Sequence, residues 1–247
     1  MPGTTISNLT CEYQNNPLGI DVFQPRLSWR LHSDQRGVQQ TAYQVFVARS
    51  EAGLASRDEL LWDSGKVATD QSTLVPYQGL ALASGQRVYW KVRVWNEAGQ
   101  PAESPVAWWE MGLLDSHDWQ ADWITPDWDE DVSQPQPAPL LRRDFTTQGG
   151  VVAARIYATC LGLYELRLNG QRVGDAVLTP GWTSYHHRLQ YQTYDVTDLI
   201  VAGDNALGAV LGDGWYRGYM GFTGGRNLYG DRLALLRSFL AKACFNL

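Results

Sequence analysis

The sequence predicts an all-β chain folded as two successive β-sandwiches. Three observations predict it. Short runs place apolar residues at every second position, as half-buried strands require, and turn signals separate them. The chain carries 11 Trp and 12 Tyr, side chains suited to pleated surfaces. No long stretch shows the 3.6-residue periodicity of a helix. At 247 residues the chain exceeds the usual domain of roughly 100–200 residues, so two domains with separate cores are expected.

The first domain is placed at residues 1–113. In Arg26-Leu27-Ser28-Trp29-Arg30-Leu31, the apolar residues Leu27, Trp29 and Leu31 share one face of a strand. Residues 42–48 form a second strand, with Tyr43, Val45 and Val47 on one face. Residues 88–95 form a third, in which Val88, Trp90, Val92 and Val94 face in while Lys91 and Arg93 face out. Asp63-Ser64-Gly65, Ser84-Gly85-Gln86 and Asn96-Glu97-Ala98-Gly99 carry turn chemistry. Residues 51–61 read as one short helix. Strands at this spacing predict a small Greek-key sandwich.

The pattern breaks over residues 114–139, which read as a linker. Trp119, Trp123 and Trp128 alternate with Asp115, Asp118, Asp122 and Asp127, followed by Pro135, Pro137 and Pro139. Alternating prolines stiffen an extended segment and cannot pair in a central strand. Asp127, Asp129 and Asp131 imitate the start of a calcium loop. Such a loop needs Gly at its sixth position and Glu at its twelfth, where this chain has Val132 and Ala138. A solvated acidic loop is expected there.

The second domain is placed at residues 140–236. Residues 155–161 and 164–168 are strands broken by Gly162. Asn169-Gly170 is a strong hairpin signal, since both residues tolerate positive φ, and Gln171-Arg172-Val173 returns the chain. Residues 189–194 form another strand, residues 195–200 one capped helical turn, and Gly203-Asp204-Asn205 leads into the apolar strand 206–211.

These motifs carry a resemblance. Tyr89-Trp90-Lys91-Val92-Arg93-Val94-Trp95-Asn96-Glu97-Ala98-Gly99 resembles the penultimate strand and turn of a fibronectin type III domain. Asn169-Gly170, then residues 194–200, then Gly203-Asp204-Asn205-Ala206-Leu207 resemble a galactose-binding-like jelly roll. Gly162-Leu163-Tyr164-Glu165, residues 179–185 (TPGWTSY), residues 211–218 (LGDGWYRG) and residues 227–232 (NLYGDR) closely resemble the N-terminal domain of bacterial α-L-rhamnosidases. Trp62-Asp63-Ser64-Gly65-Lys66-Val67, in the preceding Ig-like domain, agrees with that family. The resemblance covers roughly residues 5–236. It implies an Ig/fibronectin III-like β-sandwich followed by a jelly-roll β-sandwich.

Members of the family are inverting glycoside hydrolases that release terminal L-rhamnose. Their two catalytic carboxylates sit in an (α/α)6 toroid further downstream. No helical periodicity for that toroid exists here, so the resemblance supplies no catalytic residue and implies a chain inactive alone. Related rhamnose-binding modules imply a bound Ca²⁺, while no cofactor is required. Residues 237–247 depart from the family pattern and read as an atypical, frameshifted or prematurely ended tail. The last strand of the jelly roll is therefore expected to be missing.

Composition excludes several classes. A net charge of −6 without a basic run argues against nucleic acid and anionic membrane surfaces. No stretch approaches the ~20 apolar residues of a membrane span. The N-terminus lacks signal-peptide regions, so a cytoplasmic location is expected and the Asn8-Leu9-Thr10 acceptor would stay idle. Cys11, Cys160 and Cys244 form no metal knuckle and are expected as reduced thiols, with Cys160 buried in a strand.

Two clusters carry the candidate site. Sugar recognition needs an aromatic face for the apolar side of the ring and polar groups for its hydroxyls. Asp213, Trp215, Tyr216, Arg217 and Asn227 supply both, and Trp182 and Tyr185 form a second group beside His186 and His187. The adjacent histidines point to opposite faces of an extended chain, which does not suit one metal. Equally, these loops could pack against another domain. Glu165, Asp175 and Asp213 are the remaining carboxylates in reach, and no nucleophile-elbow motif occurs.

Three functional readings stand open. The chain is the non-catalytic N-terminal part of an α-L-rhamnosidase, whose partners are L-rhamnose-containing glycosides and a downstream catalytic domain. Or it is a stand-alone module binding rhamnose or galactose. Or it is a structural docking unit.

Overall fold

A computed structural model describes residues 4–222 and 224–243. They fold as two compact units, Met1–Asp118 and Trp119–Leu247. Both are almost wholly β, and no helix among the described residues is long and apolar enough to cross a membrane.

The first unit runs β1 (Thr5–Cys11), β2 (Arg26–His32), β3 (Gln40–Ala48), α1 (Glu51–Ser56), β4 (Leu60–Asp63), β5 (Val75–Pro76), β6 (Arg87–Asn96), β7 (Pro101–Glu103) and β8 (Ala107–Glu110). One sheet has the order β1-β2-β5, the other β4-β3-β6-β7, with β8 also on β6. The alternation in sequence becomes the core. Leu27, Trp29, Val45, Val47, Val88, Trp90, Val92 and Val94 are buried between the sheets. Lys91 and Arg93, on the outer face of β6, pair with Glu103. The back of β3 is covered too: Phe46 and Ala48 pack against Leu54 of α1.

The helix is shorter than the expected 51–61. Ser50 caps its start by accepting from Gly53 N at 3.1 Å. Arg57 then adopts a left-handed conformation (φ 61°), which ends the helix. The remaining residues pair as β4, Val47 opposite Trp62.

A charged clamp closes the turn after β1. Arg26 donates from its backbone N (2.6 Å) and Nη2 (2.6 Å) to Glu12. Hydrogen bonds from Arg26 hold the Glu12 carboxyl below the usual carboxylate range. A lowered folded value adds stability above the unfolded carboxylate pKa of ~4.3, and that stability fades as pH falls through the folded value. Between about pH 5 and 3, the urea midpoint of this unit is expected to drop more steeply for the native chain than for Glu12→Gln. Parallel slopes would show that the clamp contributes nothing.

The second unit runs β9 (Leu140–Thr147), β10 (Val151–Leu161), β11 (Leu163–Leu168), β12 (Gln171–Arg172), β13 (Gln192–Asp195), β14 (Gly203–Gly212), α2 (Gly214–Arg217) and β15 (Ala234–Ala243). Its sheets have the orders β13-β10-β15 and β12-β11-β14-β9. The buried faces of β10, β11 and β14 meet between them, including Ile156, Leu166, Leu207 and Leu211. Asn169 and Gly170 turn the hairpin at φ 52° and 82°. The expected helical turn after Asp195 is a 3-10 turn, Thr197–Leu199, with Asp195 Oδ1 accepting from Thr197 N at 3.1 Å.

Two expectations change here. The final strand is present: β15 pairs with β10 from Ala234 opposite Leu161 to Ala243 opposite Val151. Residues 237–243, read as an atypical tail, supply most of it, while Cys244 and residues 245–247 lie outside the described residues. Residues 119–139, read as a linker, pack within the second unit. Ile124 exchanges backbone hydrogen bonds with Leu235 at 2.9 and 2.8 Å, and Trp119 meets the Tyr191 ring edge-on.

The break between β10 and β11 requires glycine. Gly162 has φ 122°, and a Cβ there would lie 2.5 Å from Gly212 O and 2.7 Å from Leu233 Cδ2. Gly162→Ala is expected to destabilise the second unit by roughly 1–3 kcal/mol, read as a lowered urea midpoint; an unchanged midpoint would mean the corner relaxes freely. Cys11 and Cys160 are free and buried, and burial pushes both thiols up, away from reactivity.

Candidate functional site

The seven candidate residues converge at one end of the second unit. β14 delivers the chain to Asp213, and the single turn α2 sets Trp215, Tyr216 and Arg217 in three directions. Two more segments complete the cluster, one around Trp182–Tyr185 and one around Arg226–Tyr229.

The polar members turn inward. Arg217 is buried, its side chain 1% exposed. Its Nε donates to Asp213 Oδ1 at 2.7 Å, and its Nη1 donates to Glu130. Nη1 also reaches Asp231 O at 3.3 Å. Arg226 Nη2 holds the other Asp213 oxygen at 3.1 Å. Burial alone would lower the Arg217 guanidinium; hydrogen bonds to Glu130 and Asp213 outweigh it and leave it raised. Asn227 donates from Nδ2 to Val132 O at 3.0 Å, and its backbone N bonds Arg217 O. Asp213, Arg217 and Asn227 thus tie the 130–132 segment, α2 and the 226–229 segment together. Arg217 Nη2, Arg226 Nε and Asn227 Oδ1 are buried without a hydrogen-bond partner among the described residues. Beside them, Trp128, Glu130, Asp231 and Arg232 line a cleft of about 310 Å³.

The aromatic members divide. Tyr185 is buried, edge-on to Tyr216 at 5.1 Å and tilted against Tyr229 at 4.9 Å. Burial raises the Tyr185 and Tyr216 phenols, so both stay neutral and serve as packing groups. Gly230 lies against the Tyr216 ring, where any Cβ would overlap it. Trp182 is 56% exposed and stacks on Trp215, centroids 6.1 Å apart and planes 2° from parallel. Trp182 Nε1 donates to Tyr229 OH at 3.1 Å. Tyr219, Phe222 and Leu228 stand exposed on the loop after α2, the Tyr219 ring under the Arg226 guanidinium at 4.9 Å.

Other candidates are occupied or unsuited. Glu165 pairs with Arg167 and Arg172 on the outer face of the hairpin. His186 and His187 are both exposed. Asp131 Oδ1 accepts from Ser133 N and Oγ at 3.0 and 2.6 Å, and among the described residues no group of three or more His, Cys, Asp or Glu is placed to hold a metal. Glu130, Arg226 and Tyr229 are cluster members that sequence reading missed. Tyr229 lay within a quoted motif, whereas Glu130, 87 residues from Arg217, left no local signal.

Comparison with known proteins follows the same division. The profile of the Rha78A-like N-terminal immunoglobulin domain matches residues 6–115. That of the alpha-L-rhamnosidase N-terminal domain matches residues 149–243, through β15. An alpha-L-rhamnosidase of Formosa agariphila is 39% identical over 84% of this chain, and one of Alteromonas sp. is 39% identical over 82%. The chain spans only 23% of the length of each. Among solved structures, the Aspergillus terreus enzyme superposes with a TM-score of 0.85 at 37% identity, covering 98% of this chain and 29% of that one. The Streptomyces avermitilis enzyme, solved in complex with L-rhamnose, gives 0.88 at 26% identity, covering 98% and 39%. The chain therefore belongs to the N-terminal region of the α-L-rhamnosidases, an immunoglobulin-like domain followed by the rhamnosidase N-terminal domain.

Proposed function

We propose that this chain acts as a non-catalytic scaffold within an α-L-rhamnosidase, its second unit presenting aromatic loops to the rest of the enzyme. The observation that carries this reading is the inward closure of Asp213, Arg217 and Asn227, whose side chains bond one another's segments, Glu130 and Val132 inside the unit. Large apolar side chains left outside are Phe222 and Leu228, with Phe222 fully exposed, beside Tyr219, whose ring lies over the Arg226 guanidinium. Exposed apolar groups gathered on one loop mark an interaction surface. The occupant is the remainder of the rhamnosidase polypeptide, which makes up most of the relatives' length. Only two α-helices, of six and four residues, occur among the described residues, and neither could contribute to a helical toroid.

If these loop residues face a partner, they add nothing to this chain's own core. Phe222→Ser and Leu228→Ser are expected to leave stability to thermal unfolding unchanged within about 0.5 kcal/mol. A larger loss would place them in the core instead and remove the surface.

One observation favours a second reading. The exposed Trp182 face, held flat against Trp215, suits the apolar side of a sugar ring. A titration of the purified chain with L-rhamnose, followed by tryptophan fluorescence, separates the two. Scaffolding predicts no saturable change. Saturation abolished by Trp182→Ala would establish sugar binding.

A further inference from the structure

Away from that cluster, β9 and β15 form neighbouring edges of the two sheets in the second unit. Phe145 of β9 and Phe239 of β15 meet there, ring centroids 5.2 Å apart. Two clefts adjoin this contact. One, about 500 Å³, is lined by Asp122, Ile124, Arg143, Phe145, Arg237 and Phe239 among others; a smaller one, about 270 Å³, shares Ile124, Arg143 and Arg237. The larger falls within the roughly 300–1,000 Å³ usual for small-ligand sites.

Arg143 and Arg237 are unusual in this unit. Neither makes a side-chain hydrogen bond or ion pair among the described residues. Every other arginine of the unit meets a partner: Arg142 pairs with Asp144, Arg155 with Asp195, Arg167 and Arg172 with Glu165, and Arg217 and Arg226 with Asp213; Arg232 bonds Thr125, and Arg188 is also engaged. Asp122 lines the larger cleft without closing an ion pair to either arginine. Arg237 is partly buried, and burial together with the Arg143 charge holds its guanidinium below its ordinary value. Two like charges kept together, neither closed into an ion pair, cost stability that an arriving anion would return.

We propose that this cleft binds an anionic sugar residue, its oxyanion held between Arg143 and Arg237 and its ring against Phe145 and Phe239. Guanidinium groups match a carboxylate or sulfate fork geometrically, and the phenylalanine rings supply the apolar wall that a sugar face needs. The oxyanion belongs to a uronate or to a sulfate ester; the chemistry is shared. The site is separate from the Trp182 loops and stands whether or not those loops are a docking surface.

The test is an NMR titration of the purified chain, following the Arg Nε–H signals, with D-glucuronate, glucose 6-sulfate and glucose. Saturable shifts of Arg143 and Arg237 are expected with at least one anionic sugar and not with glucose. The sugar that acts distinguishes carboxylate from sulfate ester. Raising the salt concentration should weaken the effect. Arg143→Gln, at an exposed position on β9, should weaken binding about tenfold or more, and Arg237→Gln should do the same. Absence of shifts with both anionic sugars, equal response to glucose, or binding indifferent to Arg143→Gln would overturn the proposal.

Discussion

Arg217→Ala is expected to destabilise the second unit by roughly 3–5 kcal/mol, because removing one partner from a buried charge network leaves the others uncompensated. The Arg217 side chain is 1% exposed and answers Glu130 and Asp213, which are 13% and 22% exposed. Without it, Glu130 loses its charged partner among the described residues and Asp213 keeps only Arg226. Arg217→Met should fare little better, since it restores volume but not charge. Adding Glu130→Gln to Arg217→Met should recover part of the loss, with Asp213 left to keep Arg226 paired. Urea unfolding followed by tryptophan fluorescence reads this, with the transition of the first unit as internal reference. An Arg217→Ala midpoint equal to that of the native chain would show that the network does not hold the loops.

The first unit should respond as strongly to Trp90→Ala. Trp90 sits on the central strand β6, 1% exposed, in one core with Trp29 and Val47. Trp29 is itself fixed by donating from Nε1 to Gln40 Oε1 at 2.9 Å. Truncating a buried tryptophan removes its transfer energy and leaves a cavity, together about 3–5 kcal/mol. The first unit should then unfold at markedly lower urea while the second keeps its midpoint. A change below about 1 kcal/mol would mean that the sheets close over the gap.

The central strands were legible because one face is buried and the other wet. β6 reads Val88, Trp90, Val92, Val94 against Lys91 and Arg93, and each side chain lies where that pattern puts it. Asn169-Gly170 announced its hairpin through the φ values it allows. β15 was hidden for the opposite reason. Ala234, Leu236 and Leu240 alternate with Leu235 and Phe239, so both faces read as apolar and the period-2 contrast vanishes. β7 and β8 are only three and four residues long, too short to display a period. β9 exposes most of its residues, as an edge strand can.

The grouping of the seven residues was legible in part and their direction was hidden. Residue type singled out aromatic and polar groups that the fold brings together. It could not show that Arg217 points into the protein, because its partner Glu130 lies in a segment that reads as a solvated acidic run. The isolated-looking Arg143 and Arg237 were equally silent, since their proximity depends on two strands nearly a hundred residues apart.

The most direct test of the account is hydrolysis of p-nitrophenyl α-L-rhamnopyranoside by the purified 247-residue chain. A non-catalytic scaffold predicts no release above the uncatalysed background at any enzyme concentration. Saturable turnover that co-purifies with the chain and disappears when it is unfolded would contradict it.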